Sequence, residues 1–278
     1  MTAAVPTLTL NTGAEIPQLG LGTWPLDDAQ VADAVEAAAA LGYRHVDTAT
    51  RYGNEAGVGE GIRRTGIPRE EFFVTTKLDG QFQGDDRAIG GLEAALDRMG
   101  FDYVDLLLMH WPLPQRGLFV DTWRTFERVH ANGRARAIGV SNFRTEHIDA
   151  LLAETSVVPA VNQIQLNPHI TRPAQRAYDA AHGIVTESWS PLGGQGAGVL
   201  REPVVAEVAR RVDRTPAQVV LRWHVQQGLV VIPKSASAER MRDNLAIFDF
   251  ELGAADMDAL ATLSQGPDAG VDSNHAGH

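Results

Sequence analysis

This sequence predicts a (β/α)8 barrel, on three observations. From about residue 28, segments with helical spacing of apolar residues alternate with short apolar runs. The runs are apolar throughout rather than every second residue, as strands of a parallel sheet covered on both faces are. Eight of them fall within 278 residues, which suits a barrel of typically ~250 residues better than a doubly wound sheet.

The elements follow in order. TLTLNTGAEIPQL (7–19) reads as a hairpin about Asn-Thr-Gly, covering the barrel floor. Residues 28–41 place Val31, Val35, Ala38 and Leu41 on one helical face, and Gly42 ends that helix. Strands are expected at 45–48, 72–77, 104–110, 136–141, 160–166, 184–190, 229–233 and 247–251. Helices are expected between them at about 55–64, 84–99, 120–132, 144–153, 173–182, 203–212, 215–227 and 238–245. In the helix at 120–132, Trp123, Phe126 and Val129 share a face. No linker or low-complexity tract interrupts the series, so residues 1–278 read as one domain. The small, polar tail after Gly266 is either a disordered end or a loop over the pocket.

Composition narrows the function. A net charge of −11 disfavours binding to nucleic acid or an anionic membrane surface. The absence of cysteine rules out disulfides, thiolate metal sites and cysteine nucleophiles. The first twenty residues lack the basic start and apolar core of a signal peptide, and no run is long enough to span a bilayer. The expectation is a cytoplasmic monomer whose partner is a small molecule.

In a barrel of this kind the functional face lies at the carboxyl ends of the strands. Asp47 ends the first expected strand, Lys77 the second and His110 the third, with Tyr52 in the first loop. A free tyrosine, with a pKa of ~10, exchanges protons poorly near neutrality, and a neighbouring ammonium favours its phenolate and lowers that pKa. Asp47 would hold the lysine, and His110 would orient a carbonyl by hydrogen bonding. The set suits proton delivery to a carbonyl oxygen during hydride transfer. Each residue alone has an ordinary structural explanation; four gathered at or just beyond three successive strand ends do not.

VVIPKSASAERMRDN (230–244) supplies a second site. Lys234 follows the seventh expected strand, Ser235 and Ser237 can cap the next helix, and Arg240 lies in its first turn, where a phosphate binds readily. GVGEG (57–61) lies within a helical pattern and is no dinucleotide fingerprint. GGQGAG (193–198) reads as a flap. His275 and His278 are the tail's metal-capable residues, but no metal is expected.

With these residues in view, the chain resembles the aldo-keto reductase superfamily, most closely the bacterial 2,5-diketo-D-gluconic acid reductase group. The motifs are GLGTW (20–24), DTATRYGNE (47–55), TTKL (75–78), MHWP (109–112), GVSNF (139–143), NQIQLNP (162–168), SWSPLG (188–193) and IPKSAS (232–237). The resemblance implies NADPH-dependent reduction of an aldehyde or ketone, or the reverse oxidation. It assigns Tyr52 as general acid, Lys77 and Asp47 as its tuning partners, and His110 as the carbonyl-orienting group. It implies Ser141, Asn142 and Gln163 for the carboxamide, Trp189 for the nicotinamide ring, and Ser190, Leu192 and Gly193 for the flap. Lys234, Ser235, Ser237, Arg240 and Asn244 fall to the adenosine-phosphate end, and Trp24 and Trp111 to the pocket walls. Two departures stand out: Asp79 where relatives often carry an aromatic, and the tail GVDSNHAGH. The alternatives are a low-turnover nucleotide sensor on the same fold and a metal-dependent barrel hydrolase. The intact set of four disfavours the first, and the lone histidine of HVDTA the second.

Overall fold

The computed structural model describes residues 5–194, 196, 198–267 and 269–278. Two short strands, β1 (Thr7–Thr9) and β2 (Glu15–Pro17), pair antiparallel as the expected hairpin. Leu10 and Ile16 of this hairpin pack against Phe73, Leu106, Ala137 and Val230, so it plugs the amino-terminal end of the barrel.

The barrel itself is built from β3 (Leu21–Gly22), β4 (His45–Asp47), β5 (Phe73–Leu78), β6 (Val104–Met109), β7 (Ala135–Ser141), β8 (Val161–Gln165), β9 (Val185–Trp189) and β10 (Val230–Val231), all parallel. Bridges from Leu19 to Val231 and from Gly22 to Lys234 join its two edges, which leaves the ring closed. The helices α1 (Asp28–Leu41), α2 (Glu55–Thr65), α3 (Asp85–Met99), α4 (Phe119–Ala131), α5 (Thr145–Glu154), α6 (Pro173–Ala181), α7 (Pro203–Val212), α8 (Pro216–Val225), α9 (Ala238–Leu245) and α10 (Ala254–Ala261) complete the described elements. The largest apolar cluster lies between sheet and helices, where Val31, Val35 and Ala38 of α1 meet Val58 and Ile62 of α2. Every side chain of β6 is buried, as its apolar run requires.

Two expectations need correcting. The expected eighth strand at 247–251 is not a strand; the missing member of the ring is β3, at the start of the chain. The ends of Asp47, Lys77 and His110 therefore belong to the second, third and fourth barrel strands, and Lys234 follows the eighth. Segment 247–252 runs instead along α8, whose side chains satisfy its backbone. Arg222 donates to the Ile247 carbonyl, and Gln226 both donates to the Leu252 carbonyl and accepts from its amide. Arg214 and Arg222 cover the Phe250 ring. β3 escapes notice because it is two residues long, preceded by Gly20 and ended by Gly22. Those glycines are required, since a Cβ at Gly20 would lie 2.7 Å from His45 Nδ1 and one at Gly22 2.7 Å from the Ile232 carbonyl oxygen.

Candidate active site at the carboxyl rim

Register brings the sequence-separated residues level. Gly22 pairs with Asp47, Asp47 with Thr75, and Lys77 with Leu108 just below His110. On the other side Ser141 pairs with Gln163, and Gln163 with Glu187. The bridge from Gly22 to Lys234 sets the 234–244 segment on the same rim, one strand from Asp47.

Lys77 is the centre of the candidate catalytic group. Its Nζ donates to Asp47 Oδ1 at 2.5 Å and to the Thr48 carbonyl at 3.0 Å, and lies 3.5 Å from Tyr52 Oη. Burial alone would push this ammonium down, but Asp47, Tyr52 and Glu187 outweigh it and hold Lys77 above its ordinary value, fully charged. Burial pushes the Tyr52 hydroxyl up, Lys77 pulls it down, and Asp47 pushes it up again, for a net rise. The expected net lowering is therefore not what the free protein shows. The ammonium offsets burial without overcoming it, and Tyr52 keeps its proton. The Tyr52 ring meets His110 edge-on, 5.9 Å between centroids, with Trp24 on its other side at 5.3 Å. Burial, then Lys77, holds His110 well below the usual histidine range, so it is a neutral hydrogen-bonding group. Trp24 is 54% exposed at the mouth, whereas Trp111 is buried and stacks on His110.

A second layer lies beneath. Gln163 Nε2 donates both to Asp47 Oδ2 at 2.8 Å and to Glu187 Oε2 at 2.9 Å. Glu187 is fully buried, with His45 Nε2 3.7 Å away. Burial and Asp47 push its carboxyl up to about 8, so it carries a proton at neutrality. Sequence reasoning missed Glu187 and His45. The available signal was a glutamate in the middle of the strand IVTESWS, pointing inward between Thr186 and Ser188.

The residues expected around a nicotinamide are also together. Ser141 Oγ donates to the Gln163 carbonyl, Asn142 Nδ2 donates to the His110 carbonyl, and Trp189 Nε1 donates to Asn142 Oδ1 at 2.9 Å. Asn142 and Ser190 hold positive φ, 63° and 51°, the kind of backbone strain that clusters at functional sites. Gly193 donates from its amide to the Ser190 carbonyl, and Leu192 packs partly under the loop. Gln195 and Ala197 of the flap motif lie outside the described residues.

At the far end, Ser237 caps α9 by accepting from the Arg240 amide, and Ser235 Oγ donates to the Ser237 carbonyl. Asn244 is buried beneath them, while Lys234 and Arg240 stand in solvent, and among the described residues neither forms an ion pair. The chain has only two lysines among its 24 Lys and Arg residues, and they are Lys77 and Lys234. Two unneutralised cations beside a helix start, in a protein of net charge −11, fit a bound phosphate.

The sequence pattern of the aldo/keto reductase family matches residues 18–265. The chain belongs to the aldo/keto reductase family. It is 47% identical over 267 residues to an aldo-keto reductase of Mycolicibacterium smegmatis, covering 96% of each chain. It is 42% identical to a putative methylglyoxal reductase DkgA of Salmonella typhi, over 96% of this chain and 97% of that one. A solved Gox0644 mutant in complex with NADPH superposes with a TM-score of 0.94 at 40% identity, over 99% of this chain and 100% of that one. This aldo-keto reductase is thus an NADP-dependent oxidoreductase of carbonyl compounds, with NADPH as its cofactor. The described residues contain no helix long and apolar enough to cross a membrane.

Proposed function

We propose that this enzyme reduces small, uncharged, polar α-dicarbonyls, with Tyr52 as the proton donor. The observation that carries the proton role is the buried chain from Asp47 through Lys77 to Tyr52, at 2.5 and 3.5 Å. Tyr52 holds the proton at Oη, Lys77 stabilises the phenolate left behind, and Asp47 keeps Lys77 charged and in place. Neutral His110 orients the carbonyl by hydrogen bonding. NADPH, when bound, supplies the hydride. Ser141, Asn142 and Gln163 serve its carboxamide, Trp189 its ring, and Ser190, Leu192 and Gly193 its flap. Lys234, Ser235, Ser237, Arg240 and Asn244 serve its adenosine-phosphate end.

The substrate reading rests on the pocket walls. Trp24 and Trp111 supply apolar surface, whereas Asp79 and His278 supply a polar patch on the same pocket. A carboxylate at Asp79 opposes an acidic substrate, so neutral dicarbonyls are favoured over diketo sugar acids within the 2,5-diketo-D-gluconic acid reductase group. The similarity to the putative methylglyoxal reductase of Salmonella typhi supports this. The whole chain, 1–278, is read as one barrel domain and as a cytoplasmic monomer. A closed ring without free strand edges, and only Trp24 and Ile89 as exposed large apolar side chains among the described residues, support the monomer. A panel followed by NADPH absorbance tests the substrate class: neutral α-dicarbonyls should give the highest kcat/KM, and a higher value for diketo acids would refute the reading.

A further inference from the structure

We propose that Asp79, His110 and His278 form a binding site for a divalent metal ion of the zinc type, and that its occupation closes the carbonyl pocket. The two departures noted in the sequence, Asp79 and the tail, meet here. Asp79 lies buried just past β5, and the tail folds over the rim to reach it, held by Val271, whose amide donates to Gln165, and by an Arg144–Asp272 ion pair. His278 Nδ1 is 2.5 Å from Asp79 Oδ1, and the Gly80 amide donates to the His278 carbonyl at 2.9 Å. The His278 ring stands edge-on to His110, 4.9 Å between centroids. One ligand atom from each residue lies within 4.8 Å of the other two.

Two imidazoles and a carboxylate are the donor set of open zinc sites, which use three protein ligands at about 2.0–2.2 Å and leave a fourth position free. Tetrahedral ligands at those distances stand roughly 3.4 Å apart, so the Asp79–His278 pair, at 2.5 Å, must open while the longer separations, within 4.8 Å, close. His278 can supply that movement, since its side chain is 36% exposed whereas Asp79 and His110 are buried. His110 Nδ1 is buried and has no hydrogen-bond partner among the described residues. A bound ion replaces the hydrogen bond between Asp79 and His278 and occupies His110 in competition with a carbonyl. The closure, though not the binding, rests on the proposed role of His110.

Calorimetric titration of chelator-washed protein with zinc chloride tests the site. One site per chain is expected, weakened at least ~10-fold by Asp79→Ala and by His278→Ala, since even loss of an outer partner costs that much. His275→Ala, at the exposed neighbouring tail histidine, should leave binding unchanged. Wild-type affinity in both pocket variants, an equal loss in His275→Ala, or no binding below millimolar zinc would each overturn the site. Zinc should also raise KM for the carbonyl and leave the fluorescence titration of NADPH unchanged. Binding without a rise in KM would overturn the closure and count against His110 as the carbonyl-orienting group, while leaving the metal site intact.

Discussion

The two ends of the rim handle charge in opposite ways. Around Lys77 the ionisable groups are buried, and each is bonded to the next: Tyr52 to Lys77, Lys77 to Asp47, Asp47 through Gln163 to Glu187. At 234–240 the cations stand in water with no acidic partner among the described residues. In the first region the low dielectric makes every charge strong and every unpaired one unfavourable, so geometry is fixed and protonation states are set. In the second, water and salt weaken each charge, and the cations remain available for a ligand. On the proposed roles, chemistry belongs to the buried end and cofactor preference to the wet one.

Separating the two roles by substitution should give the largest effect first. Tyr52→Phe removes the proton while keeping the ring, and should lower turnover ~10²-fold or more, the usual scale for a general acid. NADPH affinity, read by fluorescence titration, should stay near wild type. Near-normal turnover would remove Tyr52 from its role.

Replacing Lys234 and Arg240 together with uncharged residues should do the reverse. A hydrogen bond to a charged group contributes ~1.5–3 kcal/mol, and two such contacts on a wet rim should come out at the lower end, ~10²-fold in NADPH affinity. NADH affinity should change little, and added salt should erode the wild-type preference. Equal losses for both cofactors would mean that these residues do not read the 2′-phosphate.

A smaller effect comes from the layer beneath. Glu187, pushed up to about 8 by burial and by Asp47, keeps its proton in the folded state and loses it in the unfolded state above about 4.5. The folded protein then binds more protons, so stability falls as pH rises through that window. His45 and His224, both pushed down to about 4 by burial, act oppositely but only below about 6.5. Between pH 6.5 and 8 the glutamate stands alone among these three, and should weaken the fold by roughly 2 kcal/mol. Glu187→Gln should flatten this slope in denaturant melts; an unchanged slope would place the carboxyl proton elsewhere.

What the sequence revealed follows the range of each signal. Helices with long periodic faces, such as 28–41 and 203–212, were legible to the residue because burial repeats every few positions. β3 was not, because a two-residue strand, Leu21–Gly22, carries no period. The segment 247–252 reads as a short strand-like run, yet its backbone is satisfied by Arg222 and Gln226, a tertiary fact. The same division holds in the site. Asp47, Lys77 and His110 could be placed together because parallel strands align their ends, whatever the chain between them. Glu187 was hidden because an apolar-looking strand does not announce which inward position is polar. The contact between His278 and Asp79 spans 199 residues, and nothing local in either segment signals it.

The most direct test of the division is the pH dependence of both reaction directions with one substrate pair, under conditions where chemistry limits the rate. On the proposed role, reduction requires the protonated Tyr52 and oxidation its phenolate, and in the free protein burial pushes that hydroxyl above its ordinary value. The reductive rate should therefore hold through neutrality and fall only on the alkaline side, while the oxidative rate rises over the same range. Both trends should vanish in Tyr52→Phe and persist in the Lys234 and Arg240 double variant. Parallel profiles in the two directions, or opposed profiles that survive in Tyr52→Phe, would contradict the account.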